Sequence, residues 1–245
     1  MLIDEELTAR IEPFDSFWEA PKNVDKGYNS FGKFYRRNYL KYFPKRKKGS
    51  VLVISCGPGY MVNLLKNEGY EDVLGIDSDP EKIAYAKGRR LNCRVASCFA
   101  FLKHNDEPYD MIIAEQEINH LTKREIITFL GLCWDNLRED GTLVIHTLNG
   151  ANPLTGSEAM AQNFDHYNSF TEYSLRQVLE YCSFGAIRVV PLRLYVFYEN
   201  PLNYIGMLLE ASTSFFFRLG FVFYGKSNRL FSKKIAAICR KKSEG

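Results

Sequence analysis

The chain lacks the closely spaced cysteine pairs that hold structural zinc. Its six cysteines (Cys56, Cys93, Cys98, Cys133, Cys182 and Cys239) are scattered, and no Cys-x-x-Cys pair occurs. Most lie in apolar surroundings, which predicts reduced, buried thiols in a cytosolic setting and argues against a zinc site or a disulfide framework. The N-terminus, Met-Leu-Ile-Asp-Glu-Glu, has neither the basic nor the apolar region of a secretory signal. No apolar run reaches membrane-spanning length without an interrupting charge, so a soluble, cytoplasmic protein is expected. An excess of one charge is absent too: net +3 over 245 residues argues neither for nor against nucleic acid. There is no Asn-Pro-Pro-aromatic motif and no basic stripe interleaved with stacking aromatics, so no nucleic-acid partner is expected.

What is present begins at Val51-Leu-Val-Ile-Ser-Cys-Gly-Pro-Gly59. A β-branched run feeds a turn with Gly57, Pro58 and Gly59, and an amphipathic stretch follows. The pattern predicts a buried strand, a tight turn and a helix start, with backbone N–H groups and a positive helix end facing one crevice. A second apolar run, Val73-Leu-Gly-Ile-Asp77, ends in a carboxylate, where a nucleotide ribose can be held by its hydroxyls. A dinucleotide-binding turn would carry a third glycine where Val62 stands. A bulky residue there is expected to hold the helix off the strand and to work against close pyrophosphate approach.

From 51 to about 195 the pattern alternates strand and helix, which implies a doubly wound, mostly parallel α/β sheet. Strands are predicted at 51–56, 72–77, 92–96, 110–115, 141–148 and 186–196, and helices at 59–68, 80–88, 123–138 and 171–182. Gly141 reads as the turn before the fifth strand. The last helix starts at Thr171, or at Ser169 with Glu172 as a capping box. A final apolar strand, 234–240, is expected to pair antiparallel with 186–196. Residues 1–48 form a helical extension rich in aromatics, with Tyr28, Phe31, Phe34, Tyr35 and Tyr39 at roughly helical spacing, and 49–245 form the main domain. Lys45-Arg-Lys-Lys48 reads as a solvated loop.

The two glycine-strand motifs resemble those of class I S-adenosylmethionine-dependent methyltransferases, whose first motif reads V-L-D-I-G-C-G-P-G. Val53 replaces the acid and Ser55 the first glycine. The second motif, from Gly75-Ile-Asp77-Ser78-Asp79-Pro80, resembles the family's ribose-binding strand and following helix. The resemblance implies a Rossmann-like methyltransferase fold and S-adenosyl-L-methionine as cofactor. It implies cofactor contacts from Ser55, Cys56, Gly57, Gly59, Asp77, Ser78, Ser97, Cys98 and Glu115. Two customary acids are replaced, by Val53 and, after the third strand, by Ser97. The first of these orders the glycine turn in the family, which leaves two readings: weakened or altered cofactor binding, or a divergent but active enzyme. The second is favoured because Gly57, Gly59 and Asp77 persist. The resemblance also implies that the N-terminal helix lies over the pocket, an Arg or Tyr meeting the cofactor carboxylate.

Methyl transfer from a sulfonium is an in-line displacement, and a hydroxyl acceptor needs a base at the carboxyl ends of the strands. Glu115-Gln-Glu-Ile-Asn-His-Leu121 resembles the family's V-L-E-H-L segment, with Asn119 in the acid's place and His120 kept. Phe164-Asp-His-Tyr-Asn-Ser-Phe-Thr171 resembles a loop of methyltransferases from surface-polysaccharide gene clusters, where it faces the acceptor. His166 is the first candidate for general base, with Asp165 orienting it or acting directly, and His120 ranks second. His146 points into the helix layer or into the cleft, and His104 sits in a turn at the far edge. The spacing of Asp165 and His166 with Glu115 or Glu117 demands no metal. The reading is an O-methyltransferase for a sugar hydroxyl of a glycan or lipid-linked precursor. The alternatives are a lipid or quinone methyltransferase and a non-catalytic partner subunit.

The insert 197–232 carries Leu208, Leu209, Phe215, Phe216, Phe217, Phe221, Phe223 and Tyr224, and the cations Lys226, Arg229, Lys233 and Lys234 cluster after them. Asn200-Pro201 reads as its helix start. Two readings stand level: a peripheral membrane contact through 200–234, at the inner face of the membrane, or a helical cap hiding its phenylalanines against the sheet or a homodimer mate.

Overall fold

Strands that are apolar on both faces need cover on both faces, and the alternating helices supply it. The computed structural model describes residues 21–43, 45, 47–115, 117–161, 166–193 and 202–242. In chain order the elements are α1 (Pro21–Asn38), β1 (Ser50–Ile54), α2 (Tyr60–Asn67), β2 (Asp72–Asp77), α3 (Pro80–Gly88), β3 (Cys93–Val95), α4 (Cys98–His104) and β4 (Tyr109–Glu115). There follow α5 (Lys123–Asp135), β5 (Leu137–Leu148), α6 (Gly156–Ala161), α7 (Glu172–Tyr181), β6 (Phe184–Leu192), α8 (Leu202–Phe223) and β7 (Lys234–Lys241). The sheet has seven strands in the order β3-β2-β1-β4-β5-β7-β6. Pairs β1–β2, β1–β4, β2–β3 and β4–β5 are parallel, and β7 is antiparallel to both β5 and β6. The expected α/β sheet is present. The last strand pairs antiparallel with β6 as expected, and it also pairs with β5, so it lies between the two.

The strand order reverses between β1 and β4, which opens a crevice at their carboxyl ends. Two apolar layers flank the sheet. One packs Val53, Ile113, Val144 and Ala236 under the Tyr28, Tyr35 and Tyr39 side of α1 and under Met61 and Leu65 of α2. The other packs Leu52, Ile112 and Ile145 under Phe99, Phe129 and Leu175. Helix α1 buries Val24, Tyr28 and Tyr35, and Tyr39, immediately after the helix, continues the stripe at helical spacing. Its Phe31 stacks on Tyr60 of α2 at 4.8 Å between ring centres.

Capping residues fix three helix starts. Asp79 accepts from the Glu81 and Lys82 N–H groups, with Pro80 in the first turn of α3. Thr122 and Glu125 form a capping box on α5. Thr171 caps α7 with Ser174 as its box partner, so the Ser169–Glu172 alternative is replaced. Gly141 is no turn: β5 already starts at Leu137, and a register shift against β4 together with Asp140 at φ 59° absorbs the irregularity inside the strand. His104 ends α4 instead of lying in a turn, and is exposed, its Nδ1 2.8 Å from the Ala100 carbonyl. The helix start read at Asn200-Pro201 lies outside the described residues.

Candidate active site

The glycine turn is built on unusual backbone. Ser55, Gly57 and Gly59 all have positive φ, at 54°, 53° and 83°. Ser55 holds the left-handed region without being glycine, which costs about 1–2 kcal/mol. Four contacts hold the turn: Cys56 N–H donates to the Ile76 carbonyl at 3.0 Å and Gly59 N–H to the Cys56 carbonyl at 2.9 Å. The Tyr28 hydroxyl donates to the Pro58 carbonyl at 2.5 Å, and Gly57 N–H donates to Asp77 Oδ2 at 2.8 Å. The other oxygen of Asp77 accepts from Asp79 N–H at 2.9 Å.

These bonds show what orders the turn in place of an acid at position 53. Val53 is fully buried in the apolar layer beneath α1, and the carboxylate that orders the turn comes from Asp77 on the neighbouring strand. Val62 is accommodated without a third glycine because Gly75 of β2 makes the room. A Cβ on Gly75 would lie 2.8 Å from Val62 Cγ2, Cys56 Sγ and Cys93 Sγ alike. All six thiols are free, as expected. Ser78 follows Asp77, and Ser97 and Cys98 begin α4 beyond β3; all three are partly buried beside the same strand ends.

Helix α1 then crosses the ends of β4 and β5. The Tyr35 hydroxyl donates to Glu115 Oε2 at 2.6 Å, and the Tyr39 hydroxyl lies 2.6 Å from His146 Nδ1. Glu115 and His146 are register partners on the α1 face, and Lys234 joins them from β7. Burial pushes the Glu115 carboxyl up to about 7, against the Tyr35 hydrogen bond and the Lys234 charge. Burial likewise brings Lys234 down to about 8, with Lys233 adding to the fall and Glu115 opposing it. Burial holds His146 well below its usual range and so keeps it neutral. Its Nε2 is buried and makes no hydrogen bond among the described residues. The pattern in α1 was legible, but Tyr35, Tyr39 and Lys234 were not named as a group. Only the path of α1 across the strand ends shows which strand residue each tyrosine meets.

The third part of the site lies beyond β4. His120 and His166 meet edge to face with ring centres 4.8 Å apart, so the two candidate bases are brought together. Asn119 ties them down. Fully buried, its Nδ2 donates to Thr147 Oγ1 at 2.9 Å and to the Asn168 carbonyl at 2.7 Å, while its own carbonyl accepts from Tyr167 N–H at 2.8 Å. Asn119 thus performs a positioning task, not an acidic one. Asp165 lies outside the described residues, as does the side chain of Glu117. Among the described residues no cluster of three His, Cys, Asp or Glu could hold a metal.

A family model for a methyltransferase domain matches residues 28–184, more than half of the chain and all of this constellation except Lys234. The chain belongs to this methyltransferase family. The ubiquinone biosynthesis O-methyltransferase of Bos taurus mitochondria is 28% identical over 131 residues, which are 47% of this chain and 35% of that protein. The methyltransferase thus spans about a third of that relative's length in the match. A SAM-dependent methyltransferase from Archaeoglobus fulgidus superposes with a TM-score of 0.64 at 19% identity, covering 91% of this chain and all of that one. A phosphoethanolamine N-methyltransferase 2 from Haemonchus contortus, solved with S-adenosyl-L-methionine, gives 0.59 at 15% identity over 95% of this chain and 61% of that one.

The residues fit that cofactor. A Cβ on Gly57 would meet nothing within 4 Å, so the crevice is open where the turn's backbone must approach a ligand. Asp77 offers lone pairs to ribose hydroxyls, and the α1 tyrosines close the sheet-side wall. S-adenosylmethionine, when bound, supplies a methyl group on an electrophilic sulfonium.

Proposed function

We propose that this methyltransferase transfers the methyl group to a hydroxyl of a lipid-borne acceptor, a polyprenylated phenol of the quinone type. The observation that carries the hydroxyl reading is the His120–His166 pair, two imidazoles held in contact beside the strand ends. One imidazole nitrogen takes the acceptor proton as the oxygen–methyl bond forms and the sulfur–methyl bond breaks. His166, on the loop that Asn119 holds, is the first choice of base. The quinone-type acceptor is supported by the likeness to an enzyme named for ubiquinone biosynthesis.

A second reading keeps the phosphate-linked sugar as acceptor. It is favoured by a cavity of about 410 Å³ between the end of α1 and β6, lined by Arg37, Lys41, Arg188 and Arg193 with no acid among its lining residues. Four cations suit a pyrophosphate linker. The test is transfer of labelled methyl from S-adenosylmethionine to a polyprenylated catechol and, separately, to a polyprenyl-pyrophosphate sugar. Labelling of the first, with at least a hundredfold loss of kcat in His166→Ala, is expected. Labelling of the sugar alone replaces the first reading by the second, and labelling of neither overturns both.

A further inference from the structure

Helix α8 leaves the domain with an uncovered apolar surface. Most of the large exposed hydrophobic side chains among the described residues lie on it or just after it, including Leu208 at 68% exposure, Phe216 at 66% and Phe223 at 88%. The part of α8 that packs on its own chain is a strip, with Phe217 and Phe221 on Phe231 at 6.1 and 4.7 Å between ring centres. The cap that would hide its phenylalanines against the sheet is therefore not what this chain builds. At 3.6 residues per turn, Leu202, Tyr204, Ile205, Leu208, Phe216 and Leu219 spread over an arc of about 160°. One helix covering another masks a narrower seam, so a single partner helix leaves part of this arc wet.

Three further features say what covers it. The hydroxyls of Ser212 and Thr213 turn inward and donate to the Leu208 and Leu209 carbonyls at 3.0 Å, which removes their need for water. No Asp or Glu occurs between Glu210 and Glu244, whereas Lys226, Arg229 and Lys233 follow the helix and are exposed. The returning loop is fixed to the domain: the Tyr173 hydroxyl donates to the Ser227 carbonyl, and Arg229 N–H donates to Glu172 Oε1, both at 2.8 Å.

The helix is long and apolar enough to cross a bilayer. The sheet forbids it. Leu192 before the helix and Lys234 after it are register partners in one sheet. The segment between α8 and β7 carries three cations and is anchored to α7, so it cannot recross a membrane. We propose that α8 lies in the plane of a membrane surface, its apolar arc among the acyl chains and Lys226, Arg229 and Lys233 against anionic lipid headgroups.

The test is co-sedimentation of the full chain with vesicles of phosphatidylcholine alone and with phosphatidylglycerol added. The native protein is expected to pellet with the anionic vesicles. The double variant Leu208→Asp, Phe216→Asp should lower its partition at least tenfold while S-adenosylmethionine binding by calorimetry is unchanged. Lys226→Gln, Arg229→Gln and Lys233→Gln together should bring anionic binding down to the phosphatidylcholine level. Native protein that stays in solution with both vesicle types overturns the proposal. So does a dimer in sedimentation velocity that the double aspartate variant dissociates, with no vesicle binding, for then a second copy covers the arc. A charge-neutral triple variant that binds anionic vesicles unchanged overturns the headgroup contact.

Discussion

Gly75 has no side chain, and Val62, Cys56 and Cys93 fill the space that one would take. That packing replaces the third glycine of a dinucleotide turn, moving the small residue from helix to strand. Gly75→Ala is expected to lose about 1–3 kcal/mol in urea unfolding, because three close contacts must give at once behind the glycine turn. Glu115 makes a different prediction. Its carboxyl holds a proton up to about pH 7 when folded but only to about 4.5 in the open chain. The folded state therefore binds the extra proton, and stability is greatest below about 4.5 and falls as pH rises through 7, by about 3 kcal/mol at most. Glu115→Gln should flatten that slope in unfolding measured from pH 5 to 8. Tyr35→Phe, which removes a bond favouring the carboxylate, should move the midpoint of the slope upward.

At the scale of elements, Asn119 connects three segments with one side chain. Asn119→Ala should cost about 1–3 kcal/mol by stranding its buried partners. It should also lower kcat more than KM in the labelled-methyl assay, since the His166 loop loses its hold on β5. The strands and the helices around the glycine turn were legible because each carries a local signal, such as the Val51 run, Asp79-Pro80 as a cap, or Asp77 at a strand tip. What was not legible depended on contacts between distant segments. Val53 alone did not reveal what orders the turn, because the bond from Gly57 to Asp77 joins segments 20 residues apart. Gly141 looked like a turn because a bulge inside β5 uses the same residues. The orientation of His146, open from alternation alone, is decided by its register with Glu115 and by Tyr39 of α1.

For the whole molecule, the sheet and α8 are separable. Strands β6 and β7 pair with each other directly, and the helix between them packs Phe217 and Phe221 on Phe231. Replacing 202–223 by a Gly-Ser linker is expected to leave the thermal midpoint within a few degrees and S-adenosylmethionine affinity within about twofold. A fall of more than ten degrees in differential scanning calorimetry would show that the helix supports the fold.

The position of β7 has a consequence for the order of events during synthesis. The strand that joins β5 to β6 is made after α8. Until it arrives, β5 has one open edge and β6 has no partner. Completion of the sheet thus waits for the segment after α8, and it needs contacts across long separations, such as Thr142 with Arg240. In that interval the open edge of β5 and the unpaired β6 are the parts of the domain exposed to pairing with another chain.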